Sequence, residues 1–252
     1  MRTERCNFPG SAGHLLDARL DLPDDPPRAY ALFAHCFTCG KDINAANRLS
    51  AGLAAEGVAT LRFDFAGIGG SDGEFVDTDF CSNITDLASA ADHMRSIGRP
   101  ATLLIGHSLG GAAVLAAAAK IPEVRAVAVI GAPFDVARVL RHFDQQLLEI
   151  EARGEAVVHL AGRPFRIGRR FVEEARSQDQ VSRIASLGCA LLVMHAPGDT
   201  VVAIGEAYRI YDAAYHPKSI VSLENADHML SRREDAAYAA RVLAAWASHY
   251  LP

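Results

Sequence analysis

Long hydrophobic runs are missing from this chain. No apolar stretch approaches the roughly 20 residues that a membrane-spanning helix needs, so no membrane partner is expected. An excess of positive charge is missing too. The 25 Lys and Arg stand against 30 Asp and Glu, for a net charge of −5, which offers nucleic acid no electrostatic footprint. Cysteine is scarce. Five cysteines in 252 residues are an odd number spread widely, which argues against a disulfide framework. The opening Met1-Arg2-Thr3-Glu4-Arg5-Cys6 lacks the apolar core of a secretory signal. Together these features set the expectation of a reducing, cytoplasmic compartment. Half of the residues are hydrophobic and 22% are charged, which suits a packed core and excludes a disordered chain.

Short apolar runs alternate with amphipathic segments. Ala29–Ala34, Val58–Phe63, Thr102–Ile105, Ala126–Ile130 and Ala190–Met194 are near-continuously apolar, as strands covered on both faces are. Ser219–Leu223 adds a further strand. Helical patterns lie between them at about Ala45–Glu56, Ser82–Ile97, Leu109–Lys120 and Ile204–Ala214, with a closing helix over Ser231–Tyr250. Repeated βαβ units predict an α/β fold with a mostly parallel central sheet and helices on both faces. His14–Leu22 alternates apolar and polar residues before Pro23-Asp24-Asp25-Pro26-Pro27, which reads as an antiparallel hairpin entering the sheet.

One stretch breaks the rhythm. Phe134–Gly188 holds no core-type strand but predicts a helix (Val136–Arg153), a hairpin around Ala161-Gly162-Arg163-Pro164 and a helix over Phe171–Ile184. An insertion this long is usually functional. The expectation is one domain over residues 1–252, with a cap inserted at about 134–188 that supplies part of a substrate pocket through Val139, Leu140, Phe143, Leu147 and Leu148.

The chemistry begins at Gly106-His107-Ser108-Leu109-Gly110, between a strand and a helix. G-x-S-x-G at such a junction is a nucleophile elbow. The turn is sharp enough that glycine is required two positions before and two after the serine, and it lifts Oγ above the sheet. A serine hydroxyl needs a base, usually histidine, oriented by a carboxylate. His195-Ala196-Pro197-Gly198-Asp199 and Glu224-Asn225-Ala226-Asp227-His228 both follow strands, where catalysts gather in open α/β sheets. Asp199 is thus the expected acid and His228 the base. Asp135, at the end of the preceding strand, competes for the acid's place. His107 reads as a structural or pocket residue, and His195 as a satisfied core histidine. The remaining histidines lack a suitable context. An oxyanion hole needs two backbone donors: Leu109 N–H, and Phe37 N–H from the loop His35-Cys36-Phe37-Thr38-Cys39-Gly40, with Cys36 second.

Asp64-Phe65-Ala66-Gly67-Ile68-Gly69-Gly70-Ser71-Asp72-Gly73 is glycine-rich, but no G-x-G-x-x-G register or G-K-[ST] fits. A tight loop walling the active site is the better account. Cys36 and Cys39 form C-x-x-C, a possible redox pair. A bridge needs their Cα atoms within about 7 Å, and the expected compartment favours two free thiols. Cys6, Cys81 and Cys189 are isolated, so no metal and no cofactor is expected.

With these residues in hand, the chain resembles an α/β-hydrolase of the serine carboxylesterase type. More narrowly, it is similar to the hydrolase half of bacterial proteins in which such a domain is fused to an OsmC-like peroxide-reducing domain. The stretches that carry the resemblance are His35-Cys-Phe-Thr-Cys39-Gly-Lys-Asp42, Arg62-Phe-Asp-Phe65, Gly106-His-Ser-Leu-Gly-Gly111, Gly131-Ala-Pro-Phe134 and Ala226-Asp-His-Met229. The resemblance implies Ser108, Asp199 and His228 as the triad and a small-molecule ester as substrate. It also implies an OsmC-like partner domain if the chain is one half of a fusion rather than a standalone relative. A thioesterase or amidase would use the same triad. A thiol-redox or interaction module using Cys36 and Cys39 is the alternative from another class.

Overall fold

The alternating pattern is realised in a computed structural model that describes residues 1–251. The strands are β1 (Arg2–Pro9), β2 (Leu15–Leu22), β3 (Ala29–Ala34), β4 (Val58–Phe63), β5 (Leu103–His107), β6 (Ala126–Ile130), β7 (Glu155–Leu160), β8 (Arg163–Gly168), β9 (Ala190–His195) and β10 (Lys218–Ser222). Eight of them form one sheet in the order β1-β2-β4-β3-β5-β6-β9-β10. Its six strands from β4 to β10 run parallel, and β1 and β2 are antiparallel. The helices are α1 (Asn44–Ala55), α2 (Phe80–Ser96), α3 (Leu109–Ala117), α4 (Leu147–Arg153), α5 (Arg169–Ser177), α6 (Gln180–Ala185), α7 (Gly205–Ala213) and α8 (Arg233–Ala247).

The apolar strands send alternate residues to two cores. In β5, Leu103 and Ile105 face the core shared with α1 and α8, while Leu104 faces the core shared with α2 and α3. Both faces of the sheet are therefore dry, which is why these strands read as unbroken apolar runs. Every residue of α3 is buried.

Four expectations about the periphery are corrected. The antiparallel hairpin is there, but it does not turn at the proline cluster: β2 pairs with β1, through the turn at Gly10–His14, and with β4. The proline cluster instead carries the chain across β4 to β3, a crossing that alternation within one strand does not reveal. In the inserted stretch, residues 136–146 form a 3₁₀ run broken at Phe143 (φ −147°), followed by α4. Only Ile150 of α4 is buried, and Leu148 is 78% exposed, so Leu148 lines nothing. The expected helix over Phe171–Ile184 is two helices. Asp179 starts the second by accepting from Ser182 N–H at 3.0 Å, a local bond that ends the first. The hairpin is β7–β8, closed by Ala161 (φ 50°) and Gly162 (φ 76°).

Candidate active site

Ser108 sits between the end of β5 and the start of α3 with φ 55° and ψ −125°. That is a costly conformation for a side-chain-bearing residue, persisting only when its surroundings enforce it. Here Ser108 N–H donates to Ile130 C=O at 2.9 Å, and Ser108 C=O accepts from Gly111 N–H at 2.8 Å. A Cβ on Gly106 would strike the Gly110 carbonyl, and one on Gly110 would strike the carbonyls of Ala34 and His35. Neither glycine has positive φ, so close backbone approach is what demands them.

The loops after β9 and β10 meet at this serine. Asp199 Oδ1 accepts from Val201 N–H at 2.8 Å and Val202 N–H at 2.9 Å, a turn that fixes the carboxylate plane. Its Oδ2 is left for His228 Nδ1 at 2.7 Å, and His228 Nε2 lies 3.0 Å from Ser108 Oγ. With Nδ1 facing a carboxylate, Nε2 is the ring nitrogen turned toward the serine hydroxyl. Burial alone would raise Asp199. The hydrogen bonds from His228 and from Val202 outweigh it and hold the carboxyl below its usual range. His107 lies beneath, its Nε2 at 2.7 Å from His228 C=O. Its complete burial and the neighbouring His228 push it down to about 4, so it stays neutral and donates to that carbonyl. The structure thus brings together Ser108, His228 and Asp199. Asp135 is exposed and caps Ala137 N–H at 2.9 Å. His195 binds Val202 C=O at 2.8 Å, which leaves it a structural histidine.

Sequence reasoning passed over two residues here. Gly131 has φ +57°, and a Cβ on it would lie 3.3 Å from His228 Nδ1 and 3.4 Å from Asp199 Oδ2. Buried Glu206 accepts from Phe134 N–H at 3.1 Å and pairs with Arg209 at 3.1 Å, which holds the start of the inserted stretch. Its signal was a carboxylate on the apolar face of α7.

On the other side of Ser108, the loop after β3 carries Phe37. Among the described residues neither Phe37 N–H nor Leu109 N–H makes a hydrogen bond within the chain. The carbonyl of Cys36, which shares a peptide plane with Phe37 N–H, lies 2.7 Å from His35 Nδ1 and accepts from Cys39 N–H at 3.2 Å. His35 Nε2 accepts from Phe65 N–H at 3.3 Å. One ring nitrogen donates and the other accepts, so His35 is neutral, and its burial depresses it. The expected free thiols are corrected: Cys36 and Cys39 form a disulfide, with Cα atoms 5.3 Å apart. The tight turn places the two cysteines within bridging range whatever the compartment.

Behind this loop lies a charge network that sequence reasoning left without a role. Lys41 N–H and Nζ donate to Asp64 at 2.6 and 2.7 Å, and Nζ reaches Asp17 at 2.5 Å. Asp64 also accepts from Gly70 N–H at 2.9 Å, tying the glycine loop to the Phe37 loop. Arg62 donates to Asp21 at 2.7 Å and to the Lys41 carbonyl. Burial opposes the charge on Lys41, but Asp17 and Asp64 outweigh it and raise its pKa. Asp64 is lowered, because Lys41 and Gly70 N–H overcome its own burial. The signal was Arg62 inside an apolar strand, since buried charges are paired.

Phe37 packs in a ring cluster with Phe171 (4.9 Å between centroids), Phe75 (5.6 Å) and Phe143 (6.4 Å). Phe143 and Phe171 come from the inserted stretch, and Gln180 Nε2 donates to Ala112 C=O of α3 at 3.0 Å. A cavity of about 10 Å³, room for about one water, is lined by Phe37, Leu109, Phe65, Ile68, Phe75 and Phe171.

Residues 31–242 match the family model described as alpha/beta hydrolase family. The chain belongs to that family. The esterase domain of a Rhodothermus marinus protein is 46% identical, with a TM-score of 0.81 and full coverage of both chains. Est1E from Butyrivibrio proteoclasticus, solved with ferulic acid bound, is 20% identical with a TM-score of 0.79, covering 96% of this chain and 98% of its own. At that identity it shows the fold alone. Mouse mitochondrial palmitoyl-protein thioesterase ABHD10 is 26% identical over 187 residues, or 71% of this chain, and the match spans 62% of that relative's length. Among the described residues no helix is long and apolar enough to cross a membrane.

Proposed function

We propose that this hydrolase cleaves carboxylic esters through an acyl-Ser108 intermediate. The observation that carries the reading is the row from Ser108 Oγ to His228 Nε2 at 3.0 Å and from His228 Nδ1 to Asp199 Oδ2 at 2.7 Å. His228 takes the proton as Oγ attacks, returns it to the leaving alcohol, and then activates water for deacylation. Asp199 holds the ring tautomer and offsets the imidazolium charge. The free N–H groups of Phe37 and Leu109 receive the developing oxyanion. No metal or cofactor enters these steps.

In this reading residues 134–188 act as a cap, because Phe143 and Phe171 close over Phe37 and Phe171 shares the cavity beside Leu109. A long acyl chain would have to part the phenylalanine cluster around Phe37, which in this reading favours short acyl groups. The 46%-identical esterase domain supports ester cleavage. The ABHD10 relatives favour a second reading, thioester cleavage by the same residues. A fluorophosphonate should label Ser108, and Ser108→Ala should abolish labelling and leave only the residual rate that the oxyanion hole supports. Rates on p-nitrophenyl esters from acetate to palmitate should fall with chain length. Matched acyl-thioesters decide between the two readings. An alanine variant that keeps most of its activity would end both.

A further inference from the structure

The mechanism above uses the amide of Phe37 but leaves unused the bridge that encloses it. Three features converge on the Cys36–Phe37 peptide. Its carbonyl is held inward by His35 Nδ1 at 2.7 Å and by Cys39 N–H at 3.2 Å. In a trans peptide the N–H points opposite to the carbonyl, so these two bonds are what turn Phe37 N–H outward. One of the two donors, Cys39, is tied to Cys36 by the disulfide. The bridge therefore encloses the four-residue turn that orients the amide. Cys36 is buried and lines the cavity with Phe37 and Leu109, whereas Cys39 is half-buried. An external thiolate can reach Cys39 Sγ more readily than Cys36 Sγ.

We propose that the Cys36–Cys39 disulfide is a thiol-exchange site that latches the oxyanion amide, so that hydrolysis by this protein is switched down by dithiol reductants. The inference rests on the ester-hydrolysis reading. One thiolate of the dithiol attacks Cys39 Sγ, and the bond to Cys36 breaks. Cys36 leaves as a thiolate and takes up a proton. The second thiol of the reductant then displaces Cys39 from the mixed disulfide and departs as the oxidised cyclic disulfide. Two electrons and two protons pass to the protein. The freed turn keeps the His35 bond but loses the constraint on Cys39 N–H, so the Cys36–Phe37 plane can rotate. The loop's outer anchor, Lys41 on Asp64 at 2.7 Å, remains, so the fold survives.

The predicted signature is a fall in kcat with KM nearly unchanged, because the amide acts on charge that develops only in the transition state. A fully lost oxyanion donor typically costs about 10²–10³, so partial loss should lie between about tenfold and that limit. The whole chain is reduced with a dithiol, desalted without air, and assayed on p-nitrophenyl acetate. Alkylation and mass spectrometry score the state of Cys36 and Cys39, fluorophosphonate scores Ser108, and circular dichroism scores the fold. Reoxidation should restore kcat, and Cys39→Ser should show the lowered kcat without reductant and ignore it thereafter. The inference is overturned if fully reduced protein keeps kcat within twofold, or if both cysteines alkylate before reduction. Equally, it fails if Cys39→Ser still responds, which would move the effect to Cys6, Cys81 or Cys189, or if reduction changes the dichroism. Should Cys39→Ser not fold, reduced and reoxidised wild type carries the decision. Absent fluorophosphonate labelling in the oxidised protein would instead sink the ester reading, and this inference with it.

Discussion

The two flanks of Ser108 are built by opposite strategies. In the proposed reaction the reacting groups on the base side are side chains, and their nearest support is backbone. Val201 and Val202 N–H hold Asp199, with two buried histidines behind them: His107 on the His228 carbonyl and His195 on the Val202 carbonyl. On the proposed oxyanion side the donors are backbone amides, and the Phe37 loop is supported by side chains: His35, Lys41, Asp64, Arg62 and the cysteine bridge. The difference follows from what each flank must hold still. A side chain that moves a proton needs its few torsions fixed, which one short turn does. An amide has no side chain of its own to anchor, so a whole loop must be immobilised from behind, and buried charge does that at the cost of strict pairing.

The largest effect should come from the base side. Asp199→Asn removes the partner that selects the His228 tautomer, and kcat should fall about 10⁴-fold. Asp135→Asn changes only the charge of a helix cap, since the amide oxygen still accepts from Ala137 N–H, and should leave kcat within about twofold. The reverse ranking on a p-nitrophenyl ester would break the comparison at its centre.

On the opposite flank, Asp64→Asn leaves Lys41 buried with less counter-charge. Breaking a buried pair from one end costs about 3–5 kcal/mol, read by urea unfolding, and activity should fall with it. Because the Asp64 pKa is lowered in the folded state, its contribution is present above the ordinary carboxylate range. It is lost as the pH falls through the folded value. The variant should therefore lose stability less steeply in acid than the wild type does. Parallel acid curves would mean that the network is not what pins the loop.

A smaller effect belongs to His107. Its pKa is depressed from 6.5 to about 4, so between those values the unfolded chain binds a proton that the folded chain refuses. Stability should fall as the pH drops through that window, by roughly 3 kcal/mol at about 1.4 kcal/mol per pH unit. His107→Gln should flatten that slope. An unchanged slope would place the sensitivity elsewhere.

The same contrast explains what could be read in advance. Ser108, Asp199 and His228 announce themselves because their chemistry is in their side chains and their loops follow strands. Phe37 was reachable only by its place after β3, since any residue supplies an N–H. Lys41 and Asp64 were seen merely as parts of motifs, because the partner that makes a buried charge tolerable lies across the fold. The parallel sheet was legible in its apolar runs. β1 was not, because its burial alternates weakly along the edge, and neither was the break at Phe143, where tertiary packing of the ring overrides a helical pattern.

The complete burial of α3 has a consequence for the time domain. Its amides from Ala113 to Ala117 have no route to solvent short of global opening, so in deuterium they should be among the last protons of the chain to exchange. Leu109 N–H stands at the head of the same helix with no acceptor in the chain, and its proton should exchange far sooner. A protection profile along these nine residues would therefore rise in a step. The fast end of that step marks where this fully buried helix is left open to a ligand.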